Sequence, residues 1–454
     1  MKLPQTFIDR TAPLLGDSFT SFVEALETDS PISIRLNPSK TTRIQDYEKV
    51  PWCANGYCLP VRPSFTLDPL LHAGEYYVQE ASSMFLEQVV KQYITSPVTM
   101  LDLCAAPGGK STHLVSLLPV DSLLVANEYV RSRGYILAEN LQKWGSPNVV
   151  VSNNEPKDLG ALSSFFDAIL VDAPCSGEGM FRKDAGAIDE WSVANVENCV
   201  LRQRALLTDV WSALRTDGVL IYSTCTYNRE ENEDTVKWIM DELGAELLPV
   251  QIDEAWGITI TDYGSRFYPH KTKGEGFFMS VLRKTEVEHT TRIKPEKQTV
   301  KLTKQQLDLK AYLLQPEKYT ISLLHDKVIA LPSIHAEKVS FLMKKLRLLH
   351  AGICLAEPKG KDMIPQQGLA LSTALDRTAC EVAELDWRTA LSYLRTENIV
   401  LPDSAKGFVL VCYKNQPLGW VKNLGNRCNG LYPSEWRIRM NIPTDAKEQI
   451  VING

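Results

Sequence analysis

The chain contains no stretch of the roughly 18 uncharged apolar residues that a membrane-spanning helix needs. Its first residues, MKLPQTFIDRTAPLLGDSF, lack a basic segment followed by an apolar one and a cleavage site, so no secretory leader is expected and a cytoplasmic location is the default. Cysteine is too thinly spread for a stapled scaffold: ten in 454 residues, scattered, which points to reduced thiols rather than a disulfide framework. Internal repeats and low-complexity tracts are also missing, which argues against a solenoid or a disordered tail. Metal is not expected either. Cys53 and Cys58, in the turn-rich WCANGYCLPVRP, are followed by no second pair of ligands at zinc spacing, and both read as structural thiols.

What is there is a globular composition, 44% hydrophobic and 23% charged, over a length with room for about three domains. The net charge of −6 argues against a nucleic-acid partner only until it is divided. Residues 1–289 hold 25 Lys and Arg against 39 Asp and Glu, a balance of −14, whereas 290–454 hold 24 against 16, a balance of +8. The chain is electrically two-sided, and only its C-terminal part suits a polyanion.

Apolar spacing from Thr6 to Thr28 predicts a surface helix, and SIRLNP a strand. From Val98 strands alternate with helices: VTMLDLC (98–104), SLLVANE (122–128), NVVVSN (148–153), FDAILVDA (166–173) and GVLIYSTC (218–225), with SRGYILAENLQKWG and ENCVLRQRALLTDVWSALR between them. This alternation predicts an α/β fold with a doubly wound parallel sheet, closed by GFFMSVLRK (276–284). The charged, aperiodic TEVEHTTRIKPEKQTVKLTK (285–304) predicts a domain boundary and a separate module beyond it. In that module helices are expected around 304–314 and 373–396, and FVLVCYK and PLGWVKNLG should pair as strands across a short polar turn.

The strand–turn–helix segment LDLCAAPGGKSTHL (101–114) places Gly108 and Gly109 where a cofactor meets the carboxyl edge of an open sheet. It fits neither GxGxxG nor a phosphate loop, because Cys104 occupies the position of the first required glycine of the latter. Glu128, about 20 residues on at the next strand end, suits a ribose diol, although an exposed strand-end acid would look the same. Cys175, after DAP, and Cys225, after ST, both follow strand ends. If those strands are neighbours, two thiols share one edge, a candidate active site that either cysteine alone would not suggest.

LDLCAAPGGK, DAPCSGEG and YSTCTYNREENE together resemble the S-adenosylmethionine-dependent RNA cytosine-5 methyltransferases of the Nop/Sun family. The likeness extends through RLNPSKTT, FTLDPLLHAGEYYVQEASSM, RFYPHKTKGEGFF and PLGWVKNLGNRCNGLYPSEWRI, so that nearly the whole chain is similar to the bacterial RsmF-like 16S rRNA enzymes. The resemblance implies a Rossmann-like class I methyltransferase domain at 96–285 and an N-terminal α+β accessory domain at 1–95. It also implies a linker at 286–303, a C-terminal accessory domain at 304–385 and a PUA-like RNA-binding domain at 386–454. It implies that Ala105, Ala106, Pro107, Gly108, Gly109 and Lys110 contact S-adenosylmethionine, that Glu128 holds the ribose, that Arg133 adds a cofactor-side contact, and that Glu155, in an atypical SNNEP, takes the adenine side. Asp172 is implied near the methionine end and the target cytosine, with Pro174 completing its motif. Cys225 matches the family nucleophile and Cys175 the cysteine that helps release the product.

That chemistry explains the pair. Cytosine C5 is a poor nucleophile until a thiolate adds to C6, and the adduct then needs a base to remove the C5 proton. The target base must leave its stack, and Arg427, Arg437 and Arg439 beside Trp420, Tyr432 and Trp436 offer charge and stacking faces to RNA, with at least half of those aromatics expected in a β-domain core. The expected partner is 16S rRNA or the small subunit. Methylation of tRNA or DNA, and a non-catalytic ribosome-assembly factor on the same fold, are the alternatives.

Overall fold

The computed structural model describes residues 2–41, 46–287, 301–443, 445–448 and 451–452. The expected linker therefore lies, over 288–300, outside the described residues. Its centre is a ten-stranded sheet. In chain order the strands are β1 (Thr99–Asp102), β2 (Leu123–Asn127), β3 (Val149–Ser152), β4 (Phe166–Asp172), β5 (Leu214–Thr224), β6 (Ala245–Leu247), β7 (Thr259–Thr261), β8 (Gly264–Phe267), β9 (Phe277–Lys284) and β10 (Leu348–Ala351). Across the sheet they run β7-β8-β9-β5-β4-β1-β2-β3-β10, with β6 paired to β9. The neighbours from β3 to β5 are parallel, while β9 and β10 run antiparallel to the strands beside them.

Apolar runs make these strands because both faces are covered. Leu101, Val125, Val150, Ile169 and Leu220 enter one core, and their alternate neighbours Met100, Leu124, Leu170 and Ile221 the other. The chain leaves β1 toward β2 and β3 on one side, and later fills β4 and β5 on the other. Between β1 and β4 the direction reverses, and there the carboxyl ends open a crevice. Helices α1 (Gly109–Leu117), α2 (Arg131–Trp144) and α3 (Val193–Val210) follow β1, β2 and β4. The doubly wound expectation is met, with β5 beginning four residues earlier than its apolar run because Leu214 already pairs with Phe166.

Three expectations are corrected. The N-terminal helix is two helices, Gln5–Leu15 and Phe19–Leu26, broken at Gly16, whose φ of +53° ends the first. Phe7, Phe22 and Leu26 nevertheless form one apolar face against Phe181, Trp191, Tyr227 and Tyr268. Behind them, strand Ile32–Leu36 lies in a four-stranded sheet with Tyr76–Val78 on its edge.

The region after 300 is not a separate body: β10 extends the catalytic sheet, and Ile329, Leu331, Val339, Leu342 and Leu348 join its main core. The helix expected over 373–396 begins only at Trp387, where Asp386 accepts from the backbone N–H groups of Arg388 and Thr389, and Glu381–Glu384 before it is a strand parallel to Gly407–Tyr413. The FVLVCYK and PLGWVKNLG strands pair as read, through Lys414 and Asn415, both at positive φ as a tight hairpin turn requires. No helix among the described residues is long and apolar enough to cross a membrane.

Candidate active site

The carboxyl ends of β1, β4 and β5 bring the sequence-predicted residues together. After β1 the chain passes through Cys104 to Pro107 and enters α1 at Gly108, whose φ of +114° is strained for any side chain. Ala105, Ala106, Pro107, Gly109, Lys110 and Asp172 line a cavity of about 190 Å³. Its far wall is not from this domain: Tyr77, Gln79 and Glu80 come from the N-terminal sheet edge and the turn after it.

Asp102, at the end of β1, lines the same cavity and was not anticipated. Ser111 Oγ donates to its Oδ2 at 2.6 Å, but its Oδ1 is buried without a hydrogen-bond partner. Burial, with repulsion from Asp172 and Glu128, raises its pKa from the usual carboxyl range to about 7. An orphaned acceptor on the wall of a switch-point cavity fits a ligand that brings a cationic or N–H donor, as the amino-acid end of S-adenosylmethionine would.

Glu128 is buried at the end of β2 and accepts from the backbone N–H of Val130 at 2.8 Å. Arg133 bridges it to the glycine loop, with one guanidinium nitrogen 3.7 Å from Glu128 Oε2 and another donating to the Ala106 carbonyl at 2.8 Å. These two residues stand beside the cavity rather than among those lining it. Glu155 is not brought in: its side chain takes part in a reciprocal cap of helix Pro156–Gly160 and pairs with Lys157.

The two thiols meet as the neighbouring-strand argument required. Asp172 is in register with Ser223 on parallel β4 and β5, and the loops beyond place Cys175 Sγ 3.2 Å from Cys225 Sγ. The backbone N–H of Cys225 also donates to Cys175 Sγ at 3.4 Å. The hydrogen bond to Cys225 and burial push the Cys175 thiol well above the usual thiol range. Asp172 accepts from Ser223 Oγ at 2.8 Å on one oxygen, and Lys110 Nζ lies 2.8 Å from the other. Burial opposes the charge on Lys110, but Asp172 outweighs it and holds the ammonium above its usual pKa.

Two buried carboxylates, absent from the sequence reading, fix the loops. Glu231 accepts from the Ser176 backbone at 3.0 Å, from Gln203 at 2.7 Å and from Asn228 at 2.7 Å. Glu178 accepts from the backbone of Tyr227 and Asn228 at 2.8 and 2.9 Å and from the Trp191 indole at 3.0 Å. Their signal was available: both acids sit within a few residues of the two cysteines, in segments otherwise bound for burial. Gly179 lets the loops close, since a Cβ there would come within 2.8 Å of the Cys225 carbonyl and 2.4 Å of that of Gly276.

Elsewhere, Cys53 lies with Glu87 and His113 in a buried group, its sulfur 3.8 Å from His113 Nε2, which is 3.4 Å from Glu87 Oε2. At the C-terminus Arg427, Arg437 and Arg439 are exposed. Trp420 and Tyr432 are buried and cannot stack on RNA, as expected of at least half of these aromatics, while Trp436 is half-buried beneath Lys143, 5.5 Å from its ring.

With that geometry in place, similarity to known proteins is decisive. A 30% identical relative from Shewanella sp. (strain ANA-3), ribosomal RNA small subunit methyltransferase F, aligns over 96% of this chain and 97% of its own. The chain belongs to the RsmF family of methyltransferases. A second member, from Erwinia tasmaniensis, is 31% identical over 95% of this chain and 96% of its own. The family models agree part by part: 16S rRNA methyltransferase RsmB/F over residues 94–283, the N-terminal domain of 16S rRNA methyltransferase RsmF over 3–81, and the methyltransferase RsmF PUA domain over 380–438. Among solved structures, a methyltransferase homologue from Pyrococcus horikoshii is 30% identical with a TM-score of 0.54, covering 62% of this chain and 95% of that one. NSun6 from the same organism, solved with SFG, has a TM-score of 0.51 at 20% identity and shares the fold. Membership in the RsmF family makes the chain an enzyme with a Rossmann-like methyltransferase domain between an N-terminal RsmF domain and a C-terminal PUA domain.

Proposed function

We propose that this chain methylates C5 of cytosine in 16S rRNA, using S-adenosylmethionine and a transient bond between Cys225 and the base. The observation that carries the reading is the Cys175–Cys225 contact at 3.2 Å beside the Lys110–Asp172 pair that lines the cavity. Asp102, Ala105 to Lys110, Glu128 and Arg133 would hold the cofactor, whose sulfonium supplies an electrophilic methyl group. The names of the RsmF relatives support the 16S rRNA substrate and, with it, a cytoplasmic site of action.

Cys225, as thiolate, adds to C6 of a cytosine lifted from its stack, and the ring electrons move to C5. Asp172, paired with Lys110, accepts from the exocyclic amine and fixes the ring over the thiols. Once C5 carries the methyl group, Cys175, its own proton first given up to solvent, takes the C5 proton, the C5–C6 double bond re-forms and the C6–S bond breaks, returning Cys225. A thiol whose pKa is held high is a poor nucleophile at neutral pH but a strong proton acceptor once ionised, which suits Cys175 to release rather than attack. Residues 1–95 and 386–454 are assigned to RNA contact and 96–285 to chemistry. Bisulfite sequencing of 16S rRNA from a strain lacking the gene should show at least one cytosine mark lost and restored by the wild-type copy. Unchanged 16S marks with a lost tRNA mark would refute the rRNA assignment.

A further inference from the structure

A cationic surface also lies outside the C-terminal β-domain that the sequence singled out. A cavity of about 510 Å³ opens where the start of α2 meets the hairpin Tyr319–Leu324/Lys327–Pro332 and β10. Arg131, Lys327 and Arg347 line it with the exposed His325, and no Asp or Glu does. Arg347 is built to be presented. Its backbone N–H donates to Asn154 Oδ1 and its carbonyl accepts from Asn153 and Asn154, each at 3.0 Å, while its exposed guanidinium has no ion pair among the described residues. Among the described residues Arg131 bonds only the Tyr135 hydroxyl, at 3.1 and 3.3 Å, and lies over that ring at 5.7 Å, with Tyr135 51% exposed. Lys327 is partly engaged by Glu357 at 3.6 Å and by Gln366 at 3.2 Å.

This cavity continues into a second of about 640 Å³ that shares Tyr135, Gln142, Lys327 and Leu349 with it and reaches Pro433 and Trp436. A single groove thus runs from a residue three positions after Glu128 to the one RNA-candidate aromatic not buried in the C-terminal core. Arginines without an ion pair among the described residues, around an exposed tyrosine in a first cavity that no Asp or Glu lines, complement a polyanion carrying stackable rings; Glu139 and Glu435 line only the second cavity.

Building on the RNA-methyltransferase reading, we propose that this groove holds a single-stranded stretch of the RNA substrate beside the target nucleotide. Arg131, Lys327 and Arg347 meet its phosphates and Tyr135 stacks on a base. The groove sets where the RNA lies and takes no part in methyl transfer. Its origin explains why β10 is built into the catalytic sheet: that strand fixes Arg347 against the Asn153–Asn154 turn, in constant register with the cofactor edge.

The test is the Arg131→Ala/Arg347→Ala double variant of the full chain, with neither residue in the catalytic machinery. For 16S rRNA, KM should rise about tenfold with kcat unchanged, and the slope of log affinity for fluorescent oligouridine against log salt should fall by about 0.7 for each cation removed. S-adenosylmethionine affinity should stay the same. Unchanged KM and salt slope would overturn the proposal. A loss confined to cofactor binding would assign the cavity to the cofactor instead, and a KM effect on assembled subunits but not on free rRNA would place a ribosomal protein there; either result overturns it. If the wild-type chain methylated no RNA, the functional reading would fail while the oligouridine slope still decided the groove.

Discussion

Asp102 is a residue whose importance no motif announced. It is the last residue of an apolar strand, where an acid ordinarily reads as a polar strand end, and only the fold reveals that it is buried with an oxygen left over. Because burial raises its pKa to about 7, the carboxyl is neutral below that pH and ionised above it. A cationic ligand group favours the ionised form, so cofactor affinity should strengthen as pH rises through 7 and weaken by up to about tenfold per unit below it. Titration calorimetry with S-adenosylmethionine across this range checks it, and Asp102→Asn should flatten the profile. A flat wild-type profile would remove Asp102 from the cofactor site. Other expected residues lie where their motifs placed them: Asp172 ends β4, Cys175 and Cys225 follow strand ends, and Gly108 and Lys110 open the helix after β1. Glu155 lies beyond β3, outside the residues that line the cavity, and takes part in the cap of helix Pro156–Gly160.

At the scale of elements, apolar runs disclosed the parallel strands because burial on both faces writes itself into composition. They did not disclose what supports the loops beyond those strands. The helices Gln5–Leu15 and Phe19–Leu26 are sequence neighbours of neither cysteine motif, yet Phe22 meets the Tyr227 ring at 5.0 Å in an edge-on contact and Phe7 meets Phe181 at 5.1 Å. They therefore hold the loops that carry Cys175 and Cys225. Phe22→Ala should destabilise the protein by about 3–5 kcal/mol, seen as an earlier denaturant midpoint, and should lower kcat more than it weakens cofactor binding. A midpoint unchanged from wild type would mean that the helices merely cover the catalytic body. The short strands β7, β8 and β10 escaped sequence reading for a physical reason as well: unlike the equally short β1 and β3 they stand outside the strand–helix alternation, and only pairing with a formed sheet defines them.

Over the whole molecule, the separation of charge into an acidic front and a basic rear suggested modules joined by a linker. The structure instead stitches the rear into the catalytic sheet through β10 and into its core through Leu331, Leu342 and Leu348. Charge sums report composition along the chain, and they are blind to a four-residue strand that crosses between modules. One basic residue of that rear part, Arg347, is consequently held against the end of β3 through Asn153 and Asn154. The central claim is that Cys225 bonds to that base and Cys175 releases it. Incubation of each cysteine variant with 16S rRNA and S-adenosylmethionine, followed by a denaturing gel, tests it most directly. Cys175→Ala should run as a stable protein–RNA adduct and Cys225→Ala should form none. An adduct with Cys225→Ala, or none with either variant while the wild type still methylates, would contradict the account.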